Sequence, residues 1–195
     1  VRERSAAQRL PLVLLGHSMG GAVVGRLVAE GVAAHPAAWY RPVQAMVVSS
    51  PAWAADLNPL QRLLMQVGRL MPDLAAGNGL KPGWISRDEE VVRAYEAYPL
   101  VHDRITPRLA RFILEAGDQV LQAAPRWQTP SLVMWAGADR CVAPRGCAAF
   151  AAAAPDAVVQ SRCYEGLYHE IFNEPERGQV IADLLAWLEL RFPSR

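Results

Sequence analysis

The chain has 195 residues, of which 52% are hydrophobic and 20% charged, a balance that fits a globular fold with a sizeable core and excludes a disordered chain. A formal net charge of +1 leaves no basic footprint for nucleic acid and no pull toward an acidic partner. No apolar run reaches bilayer-spanning length and no leader signal opens the chain; three cysteines (Cys141, Cys147, Cys163) without metal-ligand spacing fit a reduced, cytoplasmic setting.

Residues 2–9 read as the tail of a helix, and Pro11 opens a buried strand over Leu12–Leu15. Gly16-His17-Ser18-Met19-Gly20-Gly21 follows directly, and Ala22, Val23 and Val24 begin a helix that runs from about Gly20 to Glu30. Gly31 is placed to end it as a C′ residue. A loop around His35–Pro42 leads into a second apolar run, Val43–Val48, which reads as a parallel strand.

The character then changes, and no convincing strand appears over 51–127. Leu57, Leu60, Leu63, Leu64, Val67 and Leu70 recur at helical spacing. Ser86-x-x-Glu89 has the form of a capping box ahead of Val91–Tyr95, and Thr106-Pro107 is an N-cap with an N1 proline before a stripe of Leu109, Phe112, Ile113 and Val120. A helical insert between two strands of an α/β sheet reads as a cap over the strands' carboxyl ends, so 51–127 is the expected cap, with 1–50 and 128–195 as the core.

The sheet pattern resumes at Ser131–Ala136 and ends in Gly137-Ala138-Asp139. Pro144 starts an alanine-rich helix to about Ala153, Ala157–Cys163 is a further strand, and Gly166–Glu170 is a loop. The last helix, from about Glu176 to Leu190, carries Val180, Ile181, Leu184, Leu185 and Leu188 on one face. The expected fold is therefore α/β, a parallel sheet of about four strands flanked by helices with a helical cap insert. The elbow lies so near the start that this pattern reads as the carboxy-terminal portion of a larger fold.

Strand, G-x-S-x-G and helix together form a nucleophile-elbow arrangement. The turn is tight enough that a Cβ two residues before or after the serine is expected to collide with the neighbouring element. A serine hydroxyl attacks a carbonyl only when a histidine takes its proton and a carboxylate orients that histidine. Asp139 and His169 follow the ends of successive strands and so emerge on the same sheet edge as Ser18. Of the other histidines, His17 adjoins the serine and is expected to point elsewhere, His35 lies in a helix exit, and His102 lies in the cap. Asp156 stands at the wrong end of a strand and Asp183 within a helix. Cys141, although near Asp139, is expected to be a small buried hydrophobe.

The segments Gly16–Gly21, Ala136-Gly137-Ala138-Asp139-x-x-Val142 and Gly166-x-x-His169-Glu170 resemble the monoacylglycerol lipase and lysophospholipase branch of the α/β-hydrolases, which also holds serine-aminopeptidase-like proteins. Tyr98-Pro99-Leu100-Val101-His102 is similar to a cap motif of that group, with Tyr98 where an acidic residue usually stands. The resemblance implies Ser18 as nucleophile, His169 as base, Asp139 as its orienter and the Met19 backbone N–H as an oxyanion donor. It also implies cleavage of lipid carboxylic esters without metal or organic cofactor, and leaves peripheral membrane contact through the cap open. A second oxyanion donor belongs to a loop ahead of the elbow in such proteins. Two other readings compete: a peptidase or amidase, for which Asp88, Glu89 and Glu90 could anchor an amine, and a non-catalytic fragment lacking half of the oxyanion hole.

Overall fold

Apolar runs bounded by glycine and proline become the strands of one parallel sheet in the computed structural model, which describes residues 10–57, 59, 61, 65 and 68–193. The expected helix tail at 2–9 and the stripe positions Leu60, Leu63, Leu64 and Val67 lie outside the described residues. In chain order the elements are β1 (Val13–His17), α1 (Met19–Ala29), β2 (Ala45–Ser49), β3 (Ala76–Gly77), α2 (Glu89–Ala97), β4 (Arg104–Ile105), α3 (Pro107–Ala123), β5 (Ser131–Ala136), α4 (Arg145–Ala153), β6 (Val159–Tyr164) and α5 (Arg177–Arg191). The four-stranded sheet has the order β1-β2-β5-β6, and all of its neighbours run parallel.

Side chains alternate across the sheet, and the two faces build two cores. Met46, Val48, Val133 and Trp135 pack toward α1, α3 and α4 around Trp53, Trp127 and Phe150. Ala45, Val47, Leu132, Met134 and Ala136 pack toward α5 around Ile171, Val180 and Trp187. Strands β2 and β5 are buried along their whole length, which is why they read as unbroken apolar runs. The two outer strands differ. Gln160, Ser161, Arg162 and Cys163 are exposed along β6, whereas on β1 the exposed side chain is Leu15. On α5, Val180 and Trp187 are buried, but Ile181 and Leu185 are exposed, so the expected apolar face is wider than the sheet covers.

The insert holds more than helices, since β3 and β4 pair as a short antiparallel ladder. Its last helix, α3, is capped as expected: Thr106 Oγ1 accepts from the Leu109 N–H, and Pro107 opens the first turn. Ala116 and Val120 of α3 enter the core, and Gly117 lies against the backbone of Trp53. Two local expectations are corrected. Asp88, not Ser86, caps α2 by accepting from the Glu90 N–H; Ser86 Oγ donates to Glu174 and accepts from the Asp88 N–H, ahead of the helix. Gly31 is not a left-handed cap; α1 continues into a 3-10 turn over Glu30–Val32, and Gly31 packs against Tyr40.

Candidate active site

Ser18 sits between β1 and α1 with φ 52° and ψ −120°, a left-handed-side conformation that a side chain adopts only under strain. Backbone bonds on both sides hold it there: its N–H donates to Ser49 O at 3.0 Å, and its carbonyl accepts from Ala22 N at 3.2 Å and Ala52 N at 3.0 Å. The crowding is where the motif places it before the serine, at Gly16, but not after it at Gly20. A Cβ at Gly16 would stand 2.5 Å from Gly20 O, and one at Gly21 would stand 2.6 Å from the Pro51 Cβ. At Gly20 a Cβ would meet nothing within 4 Å, so the tight approach belongs to Gly16 and Gly21. Met19 opens α1, and its backbone N–H is one of the first-turn donors without an intrahelical carbonyl.

Asp139 lies just beyond β5 and His169 in the loop after β6, as their order implied. Asp139 Oδ1 accepts from the backbone N–H groups of Cys141 at 2.8 Å and Val142 at 3.0 Å. That turn leaves Oδ2 free for His169 Nδ1, 2.7 Å away, with both side chains buried. A carboxylate on Nδ1 holds the proton there and leaves Nε2 with a lone pair, the form a general base needs. Among the described residues no hydrogen bond joins Ser18 Oγ to His169. What brings the two neighbourhoods together is His17, whose ring centroid lies 4.8 Å from that of His169. His17 therefore does not point away. Its Nδ1 is 3.1 Å from Ser49 Oγ and its Nε2 is 3.2 Å from Glu170 Oε1.

The loop that carries His169 is tied down by a residue that sequence reasoning missed. Glu174 is fully buried, and its carboxylate accepts from Ser86 Oγ (2.7 Å), Arg87 N (2.6 Å), Arg87 Nε (2.6 Å) and Tyr168 N (3.0 Å). Burial alone would raise its pKa; the Arg87 guanidinium, the Ser86 hydroxyl and the two amides outweigh that and hold it below the ordinary 4.5. Glu170 N also donates to Ile85 O at 2.7 Å. Ser86 and Arg87 lie 88 and 87 residues from Glu174, so no local spacing announces them.

Asp139, Cys141 and His169 are the one group among the described residues whose donor atoms could meet on a metal, all within 4.8 Å of one another. Cys141 suits that role poorly. Burial, then the charges of Asp139 and Glu170, push its thiol up to about 12, so it is protonated at neutral pH. It is half-buried rather than fully buried. A concavity of about 370 Å³ lined by Arg69, Pro72, Arg108, Arg111, Phe112 and Glu115 contains none of these residues.

Residues 1–176 match the family model described as serine aminopeptidase, S33. The chain belongs to this family. The chain is 35% identical over 183 residues to a monoacylglycerol lipase of Mycolicibacterium smegmatis, covering 92% of this chain and 62% of the relative. It is 30% identical over 175 residues to phospholipase YtpA of Bacillus subtilis, covering 88% of this chain and 65% of that one. The chain thus spans less than two thirds of the length of these curated relatives. Among solved structures, the monoacylglycerol lipase of Paleococcus ferrophilus superposes with a TM-score of 0.83 at 29% identity, covering 97% of this chain and 72% of that one. The fold is that of the α/β-hydrolases, in the branch that holds the monoacylglycerol lipases.

Proposed function

We propose that the protein is a serine hydrolase that cleaves carboxylic esters of lipids, of the monoacylglycerol lipase or lysophospholipase type. The buried Asp139–His169 pair beside a strained serine elbow carries this reading. Ser18 Oγ bonds to the ester carbonyl carbon while His169 Nε2 takes its proton, and the carbonyl electron pair moves to oxygen. The Met19 N–H, at the positive end of α1, stabilises that oxyanion. Asp139 stabilises the imidazolium without taking a proton. Collapse expels the alcohol, which leaves with the proton from His169, and water then releases the acid by the same steps. Similarity to the mycobacterial monoacylglycerol lipase supports a lipid ester as substrate. The acidic residues that could have anchored an amine serve α2 instead, Asp88 as its cap and Glu89 and Glu90 in its first turn.

The same reading divides the chain into a core (1–50 and 128–195) and a cap (51–127), whose last helix, α3, packs against α1 of the core. Exposed Leu70, Met71, Leu74 and Leu100 on that cap support contact with a lipid surface. No helix among the described residues is long and apolar enough to cross a membrane. The setting we propose is cytoplasmic, in keeping with three unpaired thiols.

Fluorophosphonate labelling and monoacylglycerol turnover by the full-length protein test this. Ser18→Ala should abolish labelling and lower kcat by about 10⁶-fold, and Asp139→Asn should lower it by about 10⁴-fold. A folded protein that labels equally with and without Ser18 would be the non-catalytic form of this fold.

A further inference from the structure

We propose that His17 and Glu170 form a second histidine–carboxylate pair, one that positions His169 against the elbow and steadies the charge it acquires during turnover. This rests on the hydrolase reading above. His17 directly precedes the nucleophile and Glu170 directly follows the base, so one side-chain contact joins the two motifs. Glu170 Oε1 receives the His17 Nε2–H at 3.2 Å. Its other oxygen accepts from Asn173 Nδ2 at 3.1 Å, and its backbone N–H is anchored on Ile85 O at 2.7 Å. The far nitrogen of His17 meets Ser49 Oγ at 3.1 Å, at the end of β2. Every polar atom of the His17 ring is thereby engaged, and its orientation is fixed.

The fixed ring is what His169 rests on. Their centroids are 4.8 Å apart with planes tilted by 53°, an offset ring contact rather than a chance approach. Asp139 sets the rotation of His169 from the Nδ1 side, and His17 limits its tilt from the elbow side. Two carboxylates therefore serve adjacent imidazoles in parallel, Asp139 on His169 and Glu170 on His17.

Charge gives the pair a second effect. Burial alone would raise the Glu170 carboxyl, but its hydrogen bond to His17, the charges of His17 and His169, and Asn173 hold it below the ordinary 4.5. It is therefore an anion throughout the neutral range, beside a base that gains positive charge when it accepts the Ser18 proton. An interaction that appears with that charge accelerates the chemical step and leaves ground-state binding alone. The other groups facing this position are Asp139, Cys141 and Tyr95, and burial holds the thiol and the phenol protonated. Glu170 is thus the second anion at the base. The side-chain polar partners of His17 and Glu170 are each other, Ser49 and Asn173, not Ser18 or His169, so both act through His169 as positioning residues.

The test compares wild type, Glu170→Gln, His17→Phe and the double variant in the full-length protein, reading kcat, KM and the rate of fluorophosphonate labelling. Glu170→Gln keeps the size and loses the charge; His17→Phe keeps the ring contact and loses the pair. Each single variant should lower kcat and labelling about tenfold with KM within about twofold, and the double should fall no further than the worse single. Unchanged labelling in both single variants, or losses that multiply in the double, would overturn the pairing while leaving Ser18 chemistry intact. If Glu170→Gln does not fold, His17→Phe alone decides, and wild-type rates in it overturn the proposal. A wild-type protein that labels no faster than Ser18→Ala overturns the hydrolase reading itself, and the pairing falls with it.

Discussion

Gly16, Gly20 and Gly21 look interchangeable on paper, but only two of them stand where a Cβ has no room. Gly16→Ala and Gly21→Ala should each lower stability by about 1–3 kcal/mol, because the opposing atoms are backbone or a rigid proline ring. Gly20→Ala should be neutral or slightly stabilising, as alanine suits a helix's first turns. Thermal melting of the three variants checks the order. At this scale the sequence is a good guide to identity and a poor one to contact. The placement of Ser18, Asp139 and His169 is legible because each follows a strand, and strand ends share one edge. That of His17 and Glu170 is not, because adjacency along the chain says nothing about which way a side chain turns. Cys141 shows the same limit, since its distance from His169 depends on the turn that Asp139 Oδ1 builds.

At the scale of elements, the four strands of the parallel sheet, α1, α3 and α4 were readable from periodicity and caps, because propensity and packing agree there. The reading of α2 slipped at its cap. Ser86 has the right spacing for a capping box, yet its hydroxyl goes to a buried carboxylate far away in sequence. The hydroxyl still accepts locally, but from the Asp88 N–H, so the helix starts later and Asp88 becomes its cap. The bond it donates belongs to the Glu174 cluster, whose removal should be felt. Glu174→Gln keeps the shape but leaves Arg87, a third exposed, without its fully buried partner; the expected loss is about 2 kcal/mol in denaturant unfolding. The pH dependence follows from the carboxyl being held below 4.5 in the folded protein. A depressed folded value means the stabilisation is present above the unfolded value and is lost as pH falls through the folded one. The gap between wild type and Glu174→Gln should therefore be constant near neutrality and narrow below pH 4.5.

For the whole molecule, the two sheet edges predict different solution behaviour. The β6 edge is lined by Gln160, Ser161 and Arg162, side chains that discourage another strand from adding to it. The β1 edge carries exposed Leu15, and α5 presents Ile181 and Leu185 outward. A protein of residues 1–195 alone should therefore self-associate as concentration rises, and Leu15→Lys should reduce that association in light scattering without changing the far-UV spectrum. The parallel sheet of about four strands, its flanking helices and the family were foreseeable from the motif succession. The short β3–β4 ladder was not, since two-residue strands carry no periodicity.

The tie between the His169 loop and residues 85–87 has a genetic reading. Ile85 O holds Glu170 N, and Ser86 and Arg87 hold Glu174. A survey of inactivating substitutions should thus show two hot regions, 85–87 and 168–174, remote in the gene yet sharing one phenotype. Suppressors of a lesion in either would be expected to arise in the other.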